Sequence, residues 1–211
     1  MQKIVVIGGG GHARVLISII KKQSINVTLL GYTDRIDRRE ISGVPYLGND
    51  SILPQLKKQY PELNVIIGIG NTVSTEFRQE LYNKIKAMDF SLPHLVSQDS
   101  IVDDDVNVGE GSFVSNGVVI NTGAKIGRAA IINTSSIIEH DCVVHDYVHI
   151  APGATLCGNV IIGENSFIGA GSVIANNIEV TKNCTVGAGS VVVENCLIEG
   201  LYFGVPARRI G

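Results

Sequence analysis

Two consecutive hexads of the chain read Ile162-Gly163-Glu164-Asn165-Ser166-Phe167 and Ile168-Gly169-Ala170-Gly171-Ser172-Val173. Each begins with an aliphatic residue, and this spacing continues without a break over residues 102 to 192. A period of six differs from the 3.6 of a helix, but it is a multiple of two, so each aliphatic residue points to the same side of extended backbone. The segment is therefore a structural repeat. The aliphatic positions are Val102, Val108, Val114, Ile120, Ile126, Ile132, Ile138, Val144, Ile150, Leu156, Ile162, Ile168, Ile174, Val180, Val186 and Val192.

A second column of the repeat lies two residues before each aliphatic position and carries small or aliphatic residues, such as Ser136, Cys142 and Ala154. Because positions two apart share a face of extended backbone, each hexad buries one large and one compact side chain before turning a corner. Three hexads close a triangular coil of eighteen residues, so the segment holds about five coils. The pattern predicts a parallel β-helix whose coils lie about 4.8 Å apart.

The residues before the repeat alternate between apolar runs and helical patterns. Strands alternating with helices predict a small α/β, Rossmann-like domain with a three-stranded parallel sheet. Pro93 interrupts the pattern, so we divide the chain into domains of residues 1–92 and 93–211. The predicted strands are residues 3–7, 27–30 and 65–69, and the predicted helices are residues 13–22, 51–60 and 75–88.

The glycine turn Gly8–Gly11 supports three interpretations. With His12 and Ala13 it fits the dinucleotide pattern GxGxxA, and Asp34 lies at a suitable distance for a ribose. Only about ninety residues precede the repeat, however, and NAD normally bridges two mononucleotide halves. A second interpretation is a nucleotide-linked ligand, because backbone N–H groups at a helix N-terminus bind phosphate. In the third, the glycines only let strand and helix pack closely.

Charge and cysteine content exclude several classes of protein. The net charge of -3 and the pI near 5.9 give no electrostatic case for binding nucleic acid or an anionic membrane. The apolar run before Gly8 is too short for a signal peptide or a spanning helix, so we expect a cytoplasmic protein. The four cysteines lack a CxxC pair, which favours packed free thiols over disulfides or zinc ligands.

Three of the five histidines, His140, His145 and His149, fall within ten residues of the predicted β-helix. The eighteen-residue coil places position 140 directly beneath Gly158, about one strand spacing away. A general base beside an accessible backbone N–H is the minimum equipment for acyl transfer, because the base takes the acceptor's proton and the N–H stabilises the oxyanion.

The hexads resemble the left-handed β-helix of the hexapeptide-repeat acyltransferases, over roughly residues 100–207. The turn Ile7–Ala13 is similar to a subgroup with a small Rossmann-like domain, which includes UDP-4-amino-sugar, perosamine and sialic acid acetyltransferases. The resemblance implies an acetyl-CoA-dependent enzyme without a metal, whose first-choice reaction is N-acetylation of a UDP-4-amino sugar. O-acetylation of sialic acid or a related sugar is the alternative. The resemblance also implies a homotrimer with acetyl-CoA between neighbouring subunits.

The stretch from Asn133 to Asp141 resembles the active-site segment of the sugar N-acetyltransferases. This resemblance implies that His140 is the general base, that Asn133 lies near the acetyl group, and that the Gly158 N–H contacts the thioester carbonyl. The family commonly has glutamate where this chain has Asp141, so either Asp141 or Glu139 is expected to orient His140.

The remaining site residues are assigned to the two substrates. His149 and the corner residues Ala170, Gly171 and Ala188 are expected to line the acetyl-CoA pocket, because small corner residues let a pantetheine arm approach. The nucleotide sugar is expected on the N-terminal domain, where strand C-termini of an open parallel sheet collect such ligands. The residues predicted there are Gly10, Gly11, His12, Thr33, Asp34, Arg35 and Asn71.

Two rival functions follow from other features. His140 and His145 have the HxxxxH spacing of the γ-class carbonic anhydrases, zinc enzymes on a similar prism, but a suitable third histidine is not evident. The other rival is a protein that binds a nucleotide sugar for regulation and uses the β-helix only to trimerise.

Overall fold

The computed structural model describes residues 2–23, 27–70 and 76–210. The chain forms two compact units, which we call the N-terminal unit (Met1–Gly70 and Glu80–Leu95) and the β-helix unit (Asn71–Gln79 and Val96–Gly211). The division passes through the helix α3 (Glu76–Ala87), whose first residues belong to the β-helix unit.

The N-terminal unit contains a three-stranded parallel sheet in the order β2-β1-β3, which confirms the predicted α/β arrangement. The four residues Ile4–Ile7 of β1 are buried, as a continuous apolar run in a central parallel strand requires. No helix in the described ranges is long and apolar enough to cross a bilayer. The elements are β1 (Gln2–Ile7), α1 (Gly11–Gln23), β2 (Val27–Thr33), a 3-10 turn (Asp50–Ile52), α2 (Leu53–Gln59), β3 (Asn64–Ile67) and α3.

The β-helix unit is built from three parallel sheets that form the faces of a prism. Sheet one contains β4 (Leu95–Val96), β7 (Phe113–Val114), β10 (Ile131–Ile132), β13 (His149–Ile150), β16 (Phe167–Ile168), β19 (Cys184–Val186), β21 (Gly200–Gly204) and the antiparallel β22 (Ala207–Ile210). Sheet two contains β5 (Ile101–Val102), β8 (Val119–Ile120), β11 (Ile137–Ile138), β14 (Thr155–Leu156), β17 (Val173–Ile174) and β20 (Val191–Val192). Sheet three contains β6 (Asn107–Val108), β9 (Lys125–Ile126), β12 (Val143–Val144), β15 (Ile161–Ile162) and β18 (Glu179–Val180).

The register of these sheets confirms the eighteen-residue coil. Ile137 pairs with Thr155, and Val143 pairs with Ile161, in each case one coil apart. Since each turn adds one strand to the six-stranded sheet two, the β-helix makes about six turns, one more than the sequence count. The aliphatic column fills the interior, and only its first members, Val102 and Val108, at the end of the prism, are partly exposed.

The corners between sheets form three edges along the prism. The first edge, between sheets one and two, includes residues 133–136, 151–154, 169–172 and 187–190. The second edge, between sheets two and three, includes residues 121–124, 139–142, 157–160 and 175–178. The third edge, between sheets three and one, includes residues 109–112, 127–130, 145–148 and 163–166.

The outward-facing positions of sheets two and three differ in character. In sheet two they are mostly half-buried or exposed apolar residues: Ile101, Val119, Ile137, Thr155, Val173 and Val191. In sheet three they include charged and polar residues: Asn107, Lys125, Val143, Ile161 and Glu179. Sheet two therefore carries the more apolar of these two faces.

Candidate active site

A histidine and a carboxylate are paired on the second edge. The Nδ1 atom of His140 lies 2.9 Å from Oδ2 of Asp141. A carboxylate only accepts hydrogen bonds, so the N–H at Nδ1 donates to Asp141, and in the neutral tautomer this arrangement places the lone pair of the ring on Nε2. The His140 side chain is 56% exposed, so Nε2 is accessible to an acceptor.

Gly158 provides the space in which the His140 ring lies. A Cβ atom built on Gly158 would lie 2.5 Å from Nε2 of His140 and 2.6 Å from its Cε1. The Asn159 N–H donates to the His140 carbonyl at 2.9 Å, which holds the two coils in this register. Gly158 is buried, and within the described chain its N–H meets no protein acceptor.

Asp141, rather than Glu139, contacts the His140 ring. Glu139 Oε2 accepts a hydrogen bond from Asn121 Nδ2 at 2.8 Å, one coil below. Asp141 has a left-handed backbone conformation, with φ of 60°, and aspartate adopts this conformation more readily than glutamate because its short side chain bonds locally. The two alternatives left open by the sequence are thus separated by geometry.

Asn133 and His149 form a second polar pair. The Thr134 N–H donates to Asn133 Oδ1 at 2.8 Å, which fixes the orientation of the amide. Asn133 Nδ2 therefore points to His149 Nε2 at 3.2 Å, and it donates to this nitrogen in the tautomer of His149 that carries its proton on Nδ1. The buried His149 ring packs edge-on against Phe167, with ring centroids 5.0 Å apart.

The predicted site residues of the β-helix lie on two different edges. Asn133 lies on the first edge, and the predicted cofactor residues Ala170, Gly171 and Ala188 stack above it on the same edge. His140, Asp141 and Gly158 lie on the second edge, across the face of sheet two. One chain therefore does not bring Asn133 to His140.

No group of three His, Cys, Asp or Glu side chains that could hold a metal ion occurs among the described residues. His145 lies on the third edge, so the strand β12 separates it from His140. All four cysteines are free thiols, and Cys142, Cys184 and Cys196 are buried, in agreement with the expected packed thiols. Burial raises the pKa of the Cys196 thiol to about 11, so it remains protonated at neutral pH.

The glycine turn of the N-terminal unit serves two purposes. Gly8 has a φ of +105°, and a Cβ atom on Gly9 would lie 2.7 Å from the Tyr32 ring, so the fold itself requires glycine at both positions. A Cβ atom on Gly10 or Gly11 would meet nothing within 4 Å. These two glycines leave open space at the N-terminus of α1, where an anionic group would find backbone N–H donors.

Asp34 holds the glycine turn in place. Its Oδ2 accepts the Gly9 N–H at 2.6 Å, and its Oδ1 accepts the Ile36 N–H at 2.9 Å. Burial raises the pKa of Asp34, but the two backbone hydrogen bonds and the charge of Arg38 outweigh it and hold the pKa below its ordinary value. Asp34 is therefore an anion that fixes the turn.

The other residues predicted to bind the nucleotide sugar differ in their exposure and contacts. Thr33 is fully buried and its hydroxyl donates to Asp50 at 2.6 Å, so its side chain is engaged within the unit. Arg35 is exposed, and His12 lies half-buried beside Gly70. Asn71 lies outside the described residues.

Sequence reasoning missed Arg38, whose Nε lies 3.5 Å from Oδ2 of Asp34. The spacing of the Rossmann pattern predicts Arg35 instead, because it directly follows Asp34. Only the folding of residues 34–44 against β2 shows that Arg38 is the residue beside the glycine turn. Arg14 was also missed, although a basic residue in the first turn after a glycine turn is a recognisable signal for an anion site.

The fold and the paired His140 define a class of protein, the hexapeptide-repeat acyltransferases. Residues 3–85 match the family described as PglD N-terminal domain, and residues 123–158 and 159–199 match bacterial transferase hexapeptide (six repeats). Together with the 35% identity to a perosamine N-acetyltransferase that the chain covers to 98%, these matches show that the chain belongs to the hexapeptide-repeat family of sugar N-acetyltransferases, in the branch with a PglD N-terminal domain.

Individual proteins show the same relation. A variant of perosamine N-acetyltransferase from Caulobacter crescentus, solved in complex with CoA and GDP-perosamine, is 35% identical with a TM-score of 0.92, covering 100% of this chain and 98% of that one. The acetyltransferase domain of PglB from Neisseria gonorrhoeae, solved with acetyl coenzyme A, is 28% identical with a TM-score of 0.87, covering 99% of each chain. GDP-perosamine N-acetyltransferase from Escherichia coli O157:H7 is 29% identical over 78% of this chain and 74% of its own length.

Proposed function

We propose that this protein transfers the acetyl group of acetyl-CoA to the amino group of a nucleotide-linked amino sugar, with His140 as the general base. The observation that carries the proposal is the exposed ring of His140, which is hydrogen-bonded to Asp141 and packs against Gly158, whose N–H has no acceptor among the described residues. The perosamine and PglB relatives, solved with CoA, GDP-perosamine or acetyl-CoA, support the choice of both substrates. Family membership removes the support for the zinc-enzyme and non-enzymatic rivals.

The geometry supports a direct transfer. The sugar amine attacks the thioester carbonyl while Nε2 of His140 takes the proton of the amine, and Asp141 stabilises the imidazolium that forms. The Gly158 N–H donates to the oxyanion of the tetrahedral intermediate. Collapse of the intermediate breaks the carbon–sulfur bond, and CoA leaves as a thiolate that accepts the proton from His140. No acetyl-enzyme intermediate is formed.

The separation of Asn133 from His140 supports a site shared between subunits. We propose a homotrimer in which the apolar faces of sheet two pack toward one another, so that the first edge of one subunit meets the second edge of its neighbour. Acetyl-CoA then lies along Asn133, His149, Ala170 and Gly171 of one subunit, with its thioester at His140 of the next.

The acceptor is proposed to be an amino sugar rather than sialic acid, because the matched relatives are N-acetyltransferases. The perosamine enzyme of Caulobacter crescentus is more similar to this chain than the PglB domain is. This difference favours a GDP-linked acceptor over the UDP-linked sugar first expected.

The first prediction concerns replacement of His140 by alanine. Loss of a general base should lower kcat by about 10²- to 10⁴-fold, with little change in the KM for acetyl-CoA. The measurement is release of CoA thiol with acetyl-CoA and GDP-perosamine as substrates. The matched control is His145→Ala, because His145 lies on another edge and should be dispensable. Unchanged kcat in His140→Ala, or a covalent acetyl-enzyme trapped by mass spectrometry, would contradict the mechanism.

A further inference from the structure

A cavity of about 340 Å³ lies beside the glycine turn of the N-terminal unit. Its wall is formed by Gly9, Arg14, Arg38, Glu40, Ile41 and Ser42. None of the three charged side chains belongs to the residues that the Rossmann pattern identifies. A volume of this size lies within the range of small-molecule sites.

The segment that forms the outer wall is fixed to the rest of the unit. The Tyr32 hydroxyl accepts the Arg38 N–H at 3.2 Å and donates to the Arg39 carbonyl at 3.0 Å. Lys21 Nζ donates to the Ser42 carbonyl at 2.6 Å, which ties the end of the segment to α1. These hydrogen bonds fix the backbone of the segment that carries Arg38 and Glu40.

The two charged side chains that this segment contributes to the cavity wall, Arg38 and Glu40, have free hydrogen-bonding capacity. Asp34 holds Arg38 through Nε, which leaves the terminal nitrogens of the guanidinium available as a fork of donors. In the described parts of the chain, the Glu40 carboxylate makes neither an ion pair nor a hydrogen bond. The same wall of the cavity thus offers the guanidinium donors of Arg38 and the two carboxylate acceptors of Glu40.

Guanine is the nucleobase that matches both groups. Its N1–H and exocyclic N2 amino group are adjacent donors, and a carboxylate accepts from both. Its O6 and N7 atoms are adjacent acceptors, and arginine binds them bidentately. Uracil has a single ring N–H that lies between two carbonyl oxygens, and a carboxylate would be repelled by these oxygens. Adenine has no oxygen acceptor for arginine.

We propose that this cavity is the nucleobase site and that it selects guanine, with Glu40 bound to N1–H and N2 and Arg38 bound to O6 and N7. Arg14, in the first turn of α1, then binds the diphosphate together with the open backbone at Gly10 and Gly11. Asp34 acts as a positioning residue, because it orients Arg38 and closes the glycine turn. This inference rests on the proposed function, since it names the nucleotide of the acceptor.

The test compares ligands that differ in single base groups, using the full-length protein and calorimetric titration. Inosine diphosphate lacks the N2 amino group, so it should bind about tenfold more weakly than GDP, which is the order of one base contact. UDP should bind more weakly still. In Glu40→Gln the preference for GDP over inosine diphosphate should largely disappear, and in Arg38→Lys the affinity for GDP should fall because lysine lacks the fork.

The matched control is Glu62→Gln, an exposed glutamate of the same unit outside this cavity, which should keep the wild-type preference. The guanine assignment would be overturned by the wild type alone if GDP and inosine diphosphate bound equally well, or if UDP bound more tightly than GDP. If UDP binds tightly and UDP-linked amino sugars are acetylated, this inference fails while the proposed function stands. If GDP is selected but no sugar is acetylated, the proposed function fails instead.

Discussion

At the scale of single residues, the imidazole of His140 occupies the space that a side chain at position 158 would fill. Gly158→Ala places a methyl group 2.5 Å from Nε2, which forces the ring away from its position. The backbone at Gly158 is not left-handed, so alanine should fold normally there. We predict that kcat falls at least tenfold while the melting temperature changes little, because the base is displaced and the core is untouched.

A double-mutant cycle separates this effect from a general disturbance of the coil. Adding Gly158→Ala to a His140→Ala enzyme should cost little further activity, since the group that the methyl displaces is already absent. Full additivity of the two effects on kcat would show that Gly158→Ala acts by another route, such as displacement of the Gly158 N–H from the oxyanion.

The juxtaposition of His140 and Gly158 was predictable because eighteen residues separate them, and the period of the repeat was visible in the sequence. The choice between Asp141 and Glu139 was not predictable, because both residues flank His140 and only the structure shows that Asp141 bonds to His140 while Glu139 bonds to Asn121. The burial of Thr33 was also not predictable from the sequence. Its place at the end of a parallel strand suggests a ligand contact, but the strand continues to this residue and buries it.

At the scale of elements, the start of α3 is tied to the β-helix by a buried arginine. Arg78 is 1% exposed, and it donates to the Ala129 carbonyl at 2.8 Å and the Gly111 carbonyl at 3.3 Å. These carbonyls lie on the third edge in successive coils. Burial lowers the pKa of Arg78 to about 10, so the guanidinium is still charged at neutral pH.

Replacing Arg78 by methionine should destabilise the protein, because two carbonyl oxygens lose a buried donor. We expect a loss of roughly 2–4 kcal/mol in the free energy of unfolding, measured by denaturant titration, and a smaller loss for Arg78→Lys. The control is Lys84→Met at an exposed position of the same helix, which should change little. If Arg78→Met is as stable as wild type, the desolvation of the guanidinium cancels its hydrogen bonds and Arg78 does not stabilise the β-helix unit.

The sequence predicted the existence of α3 from its apolar spacing, but it did not predict that Arg78 is buried. A charged residue in an amphipathic helix is normally exposed, and its burial depends on a coil corner more than thirty residues away in sequence. The strands of the β-helix were predicted more closely than those of the N-terminal unit. A repeat supplies the same boundary many times, whereas β2 extends past its apolar run to Thr33 because Gly31 and Tyr32 still pair with β1.

At the scale of the whole molecule, the proposed site residues lie at two separate places on one prism. His140, Asp141 and Gly158 lie on the second edge, whereas Asn133 lies on the first edge and His149 on the strand β13 of sheet one. The face of sheet two lies between the two edges, and its outward positions are largely aliphatic. Packing of this face against copies of itself would bury the aliphatic residues and join half of the site from one subunit to half from the next.

Mixed trimers test whether the halves are shared. Asn133→Ala and His140→Ala should each be nearly inactive alone, but coexpressed subunits should recover activity, because some interfaces then join an intact His140 to an intact Asn133. Random mixing in a closed ring leaves about a quarter of the interfaces intact, which sets the expected activity relative to wild type. The control is coexpression of His140→Ala with Gly158→Ala, which should recover none because both changes damage the same half. If neither mixture recovers activity, the complete site lies within one subunit. If both mixtures recover activity, His140 and Gly158 do not act in the same half of the site.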